Sequence, residues 1–224
     1  PADPPDCIRK SELILTYTET NSSFIKNLKK TTTGKLICCK SKPGKKQHAA
    51  RFFAEGLKQL GVNLSQFPVP SIDMNKKLFI SVQNWVHKNL GGNFIILHPG
   101  SGSRRKCWPS KNFAELILRI QKEEKNVVLL KGPADSKTCE EVSQPLPEEK
   151  VPKIIAWKDL KKVAALIQEA SFYIGNDSGI SHLAAATKTK GIAIFGPTDP
   201  HVWKPCGDTI IPINKGEGKN LWPD

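Results

Sequence analysis

No stretch of this sequence approaches the length of a membrane span, and no signal peptide opens it. No C-x-x-C pair occurs among its six cysteines (Cys7, Cys38, Cys39, Cys107, Cys139 and Cys206), and their spacing is not that of a small disulfide framework. Reduced thiols and a cytoplasmic location are therefore expected, with the adjacent Cys38 and Cys39 on opposite faces of a strand. Acidic residues are scarce: 21 Asp and Glu stand against 34 Lys and Arg, giving a formal charge of +13 and a pI near 9.5. An anionic partner or surface follows from that excess. Nucleic acid is the obvious rival, but no helix-turn-helix, zinc-finger or aromatic-basic RNA-binding signature accompanies the charge, so none is expected. The positive charge concentrates over residues 26–46, read as a solvated surface, and again at Arg104–Lys106. There is no initiator methionine, and Pro1-Ala-Asp-Pro-Pro5 reads as a connection, so the chain is read as a fragment. At 224 residues it can bury a real core, in one large or two small domains.

Within those bounds, the segment Tyr173-Ile-Gly-Asn-Asp-Ser-Gly-Ile-Ser-His-Leu-Ala-Ala-Ala186 carries the most information. An apolar run ends in Gly175, two capping residues follow (Asp177 and Ser178), and Gly179 opens an alanine-rich helix. A strand, a tight turn and a helix N-terminus present unpaired N–H groups and a positive dipole end, a place suited to phosphate. A second strand, Phe94-Ile-Ile-Leu-His98, runs into the basic small-residue loop Pro99-Gly-Ser-Gly-Ser-Arg-Arg-Lys106, with Ser110 expected as the cap of the next helix. That helix carries Phe113, Leu116, Ile117 and Ile120 at the spacing of one buried face. Its glycines and serines let backbone approach an anion, and Arg104, Arg105 and Lys106 supply charge. Two such loops favour a nucleotide diphosphate over a lone phosphate.

Strand and helix signals alternate along the chain. Strands are expected at 13–15 and 35–39, helices near 23–30 and 48–60, and Gly61 as the stop of the second helix. Phe67-Pro-Val-Pro-Ser71 reads as a linker, which places a partial N-terminal α/β domain at 1–70 and a second domain at 71–224. The second domain is expected to run: helix 77–90, strand 94–98, helix 110–124, strand 126–131, helix 135–143, strand 151–155, helix 159–169, strand 172–175, helix 179–187, strand 191–195. Such alternation implies an α/β fold, a parallel sheet covered on both faces that binds ligand at the carboxyl ends of its strands.

Four ordered segments then resemble one family: His98-Pro-Gly-Ser, Lys106-Cys-Trp-Pro-Ser-Lys-Asn-Phe-Ala-Glu-Leu116, Gly175-Asn-Asp-Ser-Gly-Ile-Ser-His182 and Ala193-Ile-Phe-Gly-Pro-Thr-Asp-Pro200. Over about residues 90–206 they are similar to glycosyltransferase family 9, the heptosyltransferases of the lipopolysaccharide inner core, and residues 10–70 resemble, more weakly, the later part of that family's N-terminal domain. The resemblance implies a GT-B fold of two Rossmann-like domains, the first partial here. It implies inverting, metal-independent transfer of heptose from ADP-heptose to a lipid-linked anionic saccharide acceptor, with no cofactor and with peripheral attachment at the inner face of the inner membrane. Carried over by position, Gly100, Ser101 and Lys106 would bind the donor diphosphate. Asp177, Ser178, Gly179 and His182 would frame the phosphates and sugar, and Asp135 would contact the donor. The family's opening strand and glycine-aspartate loop, which bears its proposed catalytic carboxylate, has no counterpart, nor has its final helix; the general base is expected outside this chain. No Asp-x-Asp pair occurs, so cationic side chains and a helix N-terminus must do the work of a metal.

Each site residue also has a plainer reading. Asp177 and Ser178 could serve only as a helix cap, worth about 1 kcal/mol, and Asp135 could cap the helix that follows it. His182 could be structural, and Lys106 an ordinary member of an exposed basic loop. His98 is expected in a structural hydrogen-bonding role and Trp108 in packing beneath the loop. Asn-Asp-Ser-Gly also occurs around the nucleophile of chymotrypsin-like proteases, all-β proteins at odds with the alternation seen here. Two rivals to a transferase remain: a nucleotide-binding module without catalysis, and a basic nucleic-acid-binding protein.

Overall fold

The computed structural model describes residues 5–45, 47–64 and 69–214. Pro1–Pro4, Lys46 at the end of the basic stretch, and Phe67 and Pro68 of the expected linker lie outside the described residues. The chain divides into two compact units, Pro1–Phe67 and Pro68–Asp224.

In the first unit a short helix α1 (Asp6–Arg9) precedes β1 (Leu13–Tyr17), α2 (Ser23–Thr31), β2 (Lys35–Cys39) and α3 (Ala49–Glu55). The two strands pair in parallel, Leu13 opposite Lys35 and Tyr17 opposite Cys39. Ser22 caps α2 by accepting from the Ile25 N–H, and Ile25 and Leu28 bury one turn apart on its inner face. The helix expected over 48–60 tightens after Glu55 into a 3-10 segment, Gly56–Leu60. Close contact explains the choice of Gly56, where a Cβ would stand 2.8 Å from the Tyr17 hydroxyl and 2.9 Å from Cys39 Sγ. Gly61 then stops the segment at φ 77°, as its position predicted.

The second unit begins with α4 (Lys76–Leu90) and continues β3 (Phe94–His98), α5 (Ser110–Lys122), β4 (Asn126–Leu130), α6 (Ser136–Ser143), β5 (Lys153–Ile155), α7 (Leu160–Glu169), β6 (Phe172–Asn176), α8 (Gly179–Ala186), β7 (Gly191–Phe195), α9 (Pro200–Trp203) and β8 (Ile210–Asn214). The six strands form one sheet in the order β5-β4-β3-β6-β7-β8, with every pairing parallel. Counted within the unit this is the order 3-2-1-4-5-6 of a Rossmann fold, and the direction of winding reverses between β3 and β6.

The strands are apolar almost throughout because both faces are covered. Phe94, Ile96, Val128, Leu130, Tyr173, Ala193 and Phe195 face α4, α7 and α8. Their strand neighbours Ile95, Leu97, Val127, Leu129, Ile174 and Ile194 face Phe113, Ala114 and Ile117 of α5 and Val142 of α6. Gly191 must be glycine, since a Cβ there would meet the Tyr173 carbonyl oxygen at 2.3 Å. The expected elements ended at strand 191–195 and did not include β8, which carries Pro212 opposite Ala193; at the sheet edge a proline is tolerated where its missing N–H would face solvent. All six cysteines are free, and among the described residues no helix is long and apolar enough to cross a membrane.

Candidate functional site

The reversal point puts the carboxyl ends of β3 and β6 side by side, His98 opposite Gly175. Three loops converge there: 99–109 after β3, 131–135 after β4, and the turn from β6 into α8. The two small-residue loops singled out in the sequence thus share one edge, where a parallel sheet of this order leaves a crevice for ligand.

Lys106 reaches across the gap. Its Nζ lies 2.8 Å from Asp177 Oδ2, and that oxygen also accepts from the Thr198 hydroxyl at 2.6 Å. The Asp177 carboxylate is 6% exposed and the lysine side chain 33%. A buried carboxylate would repel a diphosphate; here it holds the lysine ammonium at the crevice instead. Ser101 adds a second tie by donating from Oγ to the Asp177 carbonyl at 2.7 Å.

Asn176, fully buried, fastens the same two loops. Its Oδ1 accepts from the Trp108 N–H at 3.0 Å, its Nδ2 donates to the Pro99 carbonyl at 2.7 Å, and its own carbonyl accepts from the Ser181 hydroxyl at 2.6 Å. An amide carries a donor and an acceptor on separate atoms, so one side chain satisfies an N–H and a C=O on two loops at once. Trp108 packs edge-on against Phe113, ring centroids 5.1 Å apart, which is the packing role expected of it.

Asp135 is buried and paired. It is 6% exposed, and its Oδ2 accepts from the Gly132 N–H at 2.8 Å and lies 3.1 Å from His98 Nε2. The hydrogen bond from His98 holds its carboxyl below the usual carboxylate range, against the upward push of burial. It makes no side-chain cap to α6, so the plainer reading of it as a cap fails. Gly100 has to be glycine here, because a Cβ would stand 2.0 Å from Asp135 Oδ1. His98 takes the hydrogen-bonding role expected of it, with Nδ1 3.3 Å from Ser178 Oγ.

That contact corrects another expectation. Ser178 occupies the N-cap position of α8 yet makes no side-chain cap; its hydroxyl turns to His98, and the Asp177 carboxylate turns to Lys106. The N-terminus of an eight-residue helix is left without a side-chain cap on the crevice side. Gly179 is exposed, and neither it nor Gly102 has anything within 4 Å of where a Cβ would sit. His182 stands one turn into α8 with its side chain exposed. Ser110, expected as the cap of α5, is its first helical residue, with Pro109 at the cap position. Its hydroxyl donates to Glu141 at 3.0 Å, where Arg104 also binds at 2.5 and 2.7 Å. Arg104 is thereby committed to α6, whereas Lys106 reaches across the gap.

The structure therefore brings Ser101, Lys106, Asp177, Ser178 and Gly179 to one crevice. Gly100 and Asp135 lie beneath it, and His182 lies along its helix. Sequence reasoning gave Asn176 no role, although one signal was available, a polar residue closing an otherwise apolar strand. Thr198-Asp199-Pro200 reads from the sequence as a turn on the ligand side of the sheet, and the Thr198 bond to Asp177 puts it there.

The model of glycosyltransferase family 9 (heptosyltransferase) matches residues 40–220. Lipopolysaccharide heptosyltransferase 3 of Escherichia coli is 30% identical over 137 residues, 60% of this chain and 40% of that protein. Lipooligosaccharide heptosyltransferase 2 of Haemophilus influenzae is 33% identical over 117 residues, 50% of this chain and 34% of that protein. The chain thus spans about two fifths or less of the length of these relatives. Among solved structures, E. coli ADP-heptose lps heptosyltransferase II superposes with a TM-score of 0.63 at 24% identity, covering 70% of this chain and 49% of that one. The glycosyl transferase family 9 protein of Veillonella parvula gives 0.70 at 21% identity, over 83% of this chain and 54% of that one. These likenesses establish the fold class as α/β of the GT-B type, with a Rossmann-like parallel sheet in the second unit. With four fifths of its length matched by the family model, the chain belongs to glycosyltransferase family 9, the heptosyltransferases.

Proposed function

We propose that this chain holds the nucleotide-sugar donor of a heptosyltransferase, which moves heptose from ADP-heptose to the anionic lipopolysaccharide inner core with inversion and without a metal. The observation that carries the reading is the uncapped α8 N-terminus beside the Lys106 ammonium, both at the point where the sheet reverses. The donor diphosphate would lie over Gly102 and Gly179, where backbone approach is unobstructed. Lys106 would exchange the Asp177 carboxylate for a phosphate oxygen. An acceptor hydroxyl would attack the anomeric carbon from the face opposite ADP, and the C–O bond to the β-phosphate would break. The charge gathered by departing ADP would fall on donors already in place, the lysine and the helix N–H groups, so little reorganisation is needed. His182 would lie along the sugar side, while Ser101, Asn176 and Asp135 hold the loops. No residue of this chain is assigned the general base. Work of this kind belongs on the cytoplasmic face of the inner membrane, and the +13 charge suits an anionic surface there.

Calorimetric titration with ADP in EDTA tests the reading. Native chain should bind without added Mg²⁺. Lys106→Ala should bind about tenfold to a hundredfold more weakly, the range of a charge-assisted hydrogen bond of ~1.5–3 kcal/mol. Equal affinity in the variant, or binding only with Mg²⁺, would refute the placement.

A further inference from the structure

We propose that His98 is a positioning residue for the Ser178 hydroxyl, and that Ser178 can receive a diphosphate oxygen only when His98 has taken up a proton. This deepens the reading of the crevice as a nucleotide-diphosphate site and rests on it.

The argument starts from a chain of three groups drawn from three loops. Asp135 Oδ2 lies 3.1 Å from His98 Nε2, and His98 Nδ1 lies 3.3 Å from Ser178 Oγ. His98 is 3% exposed and Asp135 6%, so water has little access to either. Asp135 already accepts from the Gly132 N–H, and an ionised carboxylate only accepts. The facing Nε2 must therefore carry a hydrogen, which fixes one end of the ring.

The other end decides what Ser178 offers. On a neutral ring Nδ1 is a bare lone pair, and the Ser178 O–H is spent donating to it. The serine oxygen then turns only lone pairs toward the crevice, and a phosphate oxygen has no hydrogen to accept from it. On a protonated ring Nδ1–H donates to Ser178 Oγ, and the serine hydrogen is released toward the ligand. The ion pair with Asp135 keeps the buried ring from standing as an isolated charge.

The neighbours leave this alternative intact. Ser181 commits its hydrogen to the Asn176 carbonyl, so the Tyr173 hydroxyl, 3.1 Å away, must donate to Ser181. Tyr173 is also a hydrogen-bond partner of Ser178, and burial pushes its pKa up, so it stays protonated; with its one hydrogen on Ser181 it can only accept from Ser178, and a neutral phenol is a weaker acceptor than a charged phosphate oxygen. The thiols of Cys107 and Cys139 near Asp135 are likewise pushed up by burial, Cys139 to about 12, and remain neutral. Before ligand binds, Lys106 and Asp177 neutralise each other in the turn beside Ser178; once the lysine turns to phosphate, the Asp177 carboxylate keeps the Thr198 hydroxyl as its donor. His182 on α8 and His201 on α9, three residues past Thr198, are further imidazoles on this edge of the sheet, and the loss of uptake in His98→Gln separates His98 from both.

The probe is ADP-glucose, whose diphosphate is esterified at both ends and does not titrate near neutrality, unlike ADP. Titrations at one mildly alkaline pH, in buffers of differing ionisation enthalpy, count the protons taken up per ligand bound. Native chain should take up a proton, with affinity rising by up to about tenfold for each pH unit of acidification. His98→Gln can reach Asp135 through its amide but gives Ser178 no titrating partner; its uptake should fall to nearly nothing and its affinity lose the pH dependence. His182→Gln should keep the uptake. Binding by the native chain without proton uptake overturns the proposal, as does uptake that survives in His98→Gln or disappears in His182→Gln. Failure of ADP-glucose to bind at all overturns instead the reading of the crevice as a nucleotide site, and this inference with it.

Discussion

Replacing Asn176 with alanine should loosen both loops of the crevice at once. The side chain is fully buried, and its two amide atoms serve the Trp108 N–H at 3.0 Å and the Pro99 carbonyl at 2.7 Å. Truncation leaves both backbone groups without partners. A buried orphan costs roughly 1–3 kcal/mol; Trp108 is only half-buried, so its N–H regains part of this from water, and the sum comes to about 3 kcal/mol. For a chain of this size that lowers the melting temperature by about 6–12 °C. Asn176→Asp is the sharper variant. It keeps the shape and the Trp108 bond, but sets an acceptor against the Pro99 carbonyl and buries a charge, so it should cost at least as much. The assay is thermal unfolding followed by near-UV circular dichroism, with ADP affinity measured below the transition. If both variants melt within about 2 °C of the native chain, a shift worth about 0.5–1 kcal/mol, and bind ADP normally, Asn176 does not join these loops.

Two further outcomes follow from the same edge. Gly179→Ala should leave stability unchanged or raise it by up to ~1 kcal/mol, since its Cβ meets nothing and alanine favours helix. Calorimetry should nonetheless show a loss of ADP affinity, and full affinity would mean that no ligand approaches the α8 N-terminus. Asp135 has a folded-state pKa below the ordinary 3.8. A depressed carboxyl contributes stability above its unfolded pKa and loses it as pH falls through the folded value. Urea midpoints should therefore drop below about pH 4 in the native chain and drop less in Asp135→Asn; parallel curves would show that the carboxylate's environment has been misread.

Much of the second unit was legible because its signals are strong. Apolar strands of five residues alternate with helices whose inner faces repeat every three or four positions, and the expected 94–98 and 191–195 match β3 and β7 residue for residue. Capping was read less well, for a physical reason. Serine and aspartate before a helix prefer to cap it, but that preference is worth only about 1 kcal/mol, and partners distant in sequence outbid it. His98 draws Ser178 away from α8, Lys106 and Thr198 draw Asp177, and Glu141 draws Ser110. Local chemistry could name these residues as special; it could not say which distant group each one serves. Asp135 shows the same limit, since its cover is Gly100, whose need to be glycine arises only when two loops meet.

The strand order has a consequence for how the molecule comes to exist. Pro99 and Asn176, joined across the central pair of strands, lie 77 residues apart. Closing a loop of that length costs about 4 kcal/mol of chain entropy beyond a constant term, and β3 meets β6 only when the segments between them have found their places. The crevice therefore belongs to the slow, non-local part of the folding reaction. A nucleotide has nothing to grip on a chain still searching for its fold; it can only delay the opening of one that has finished.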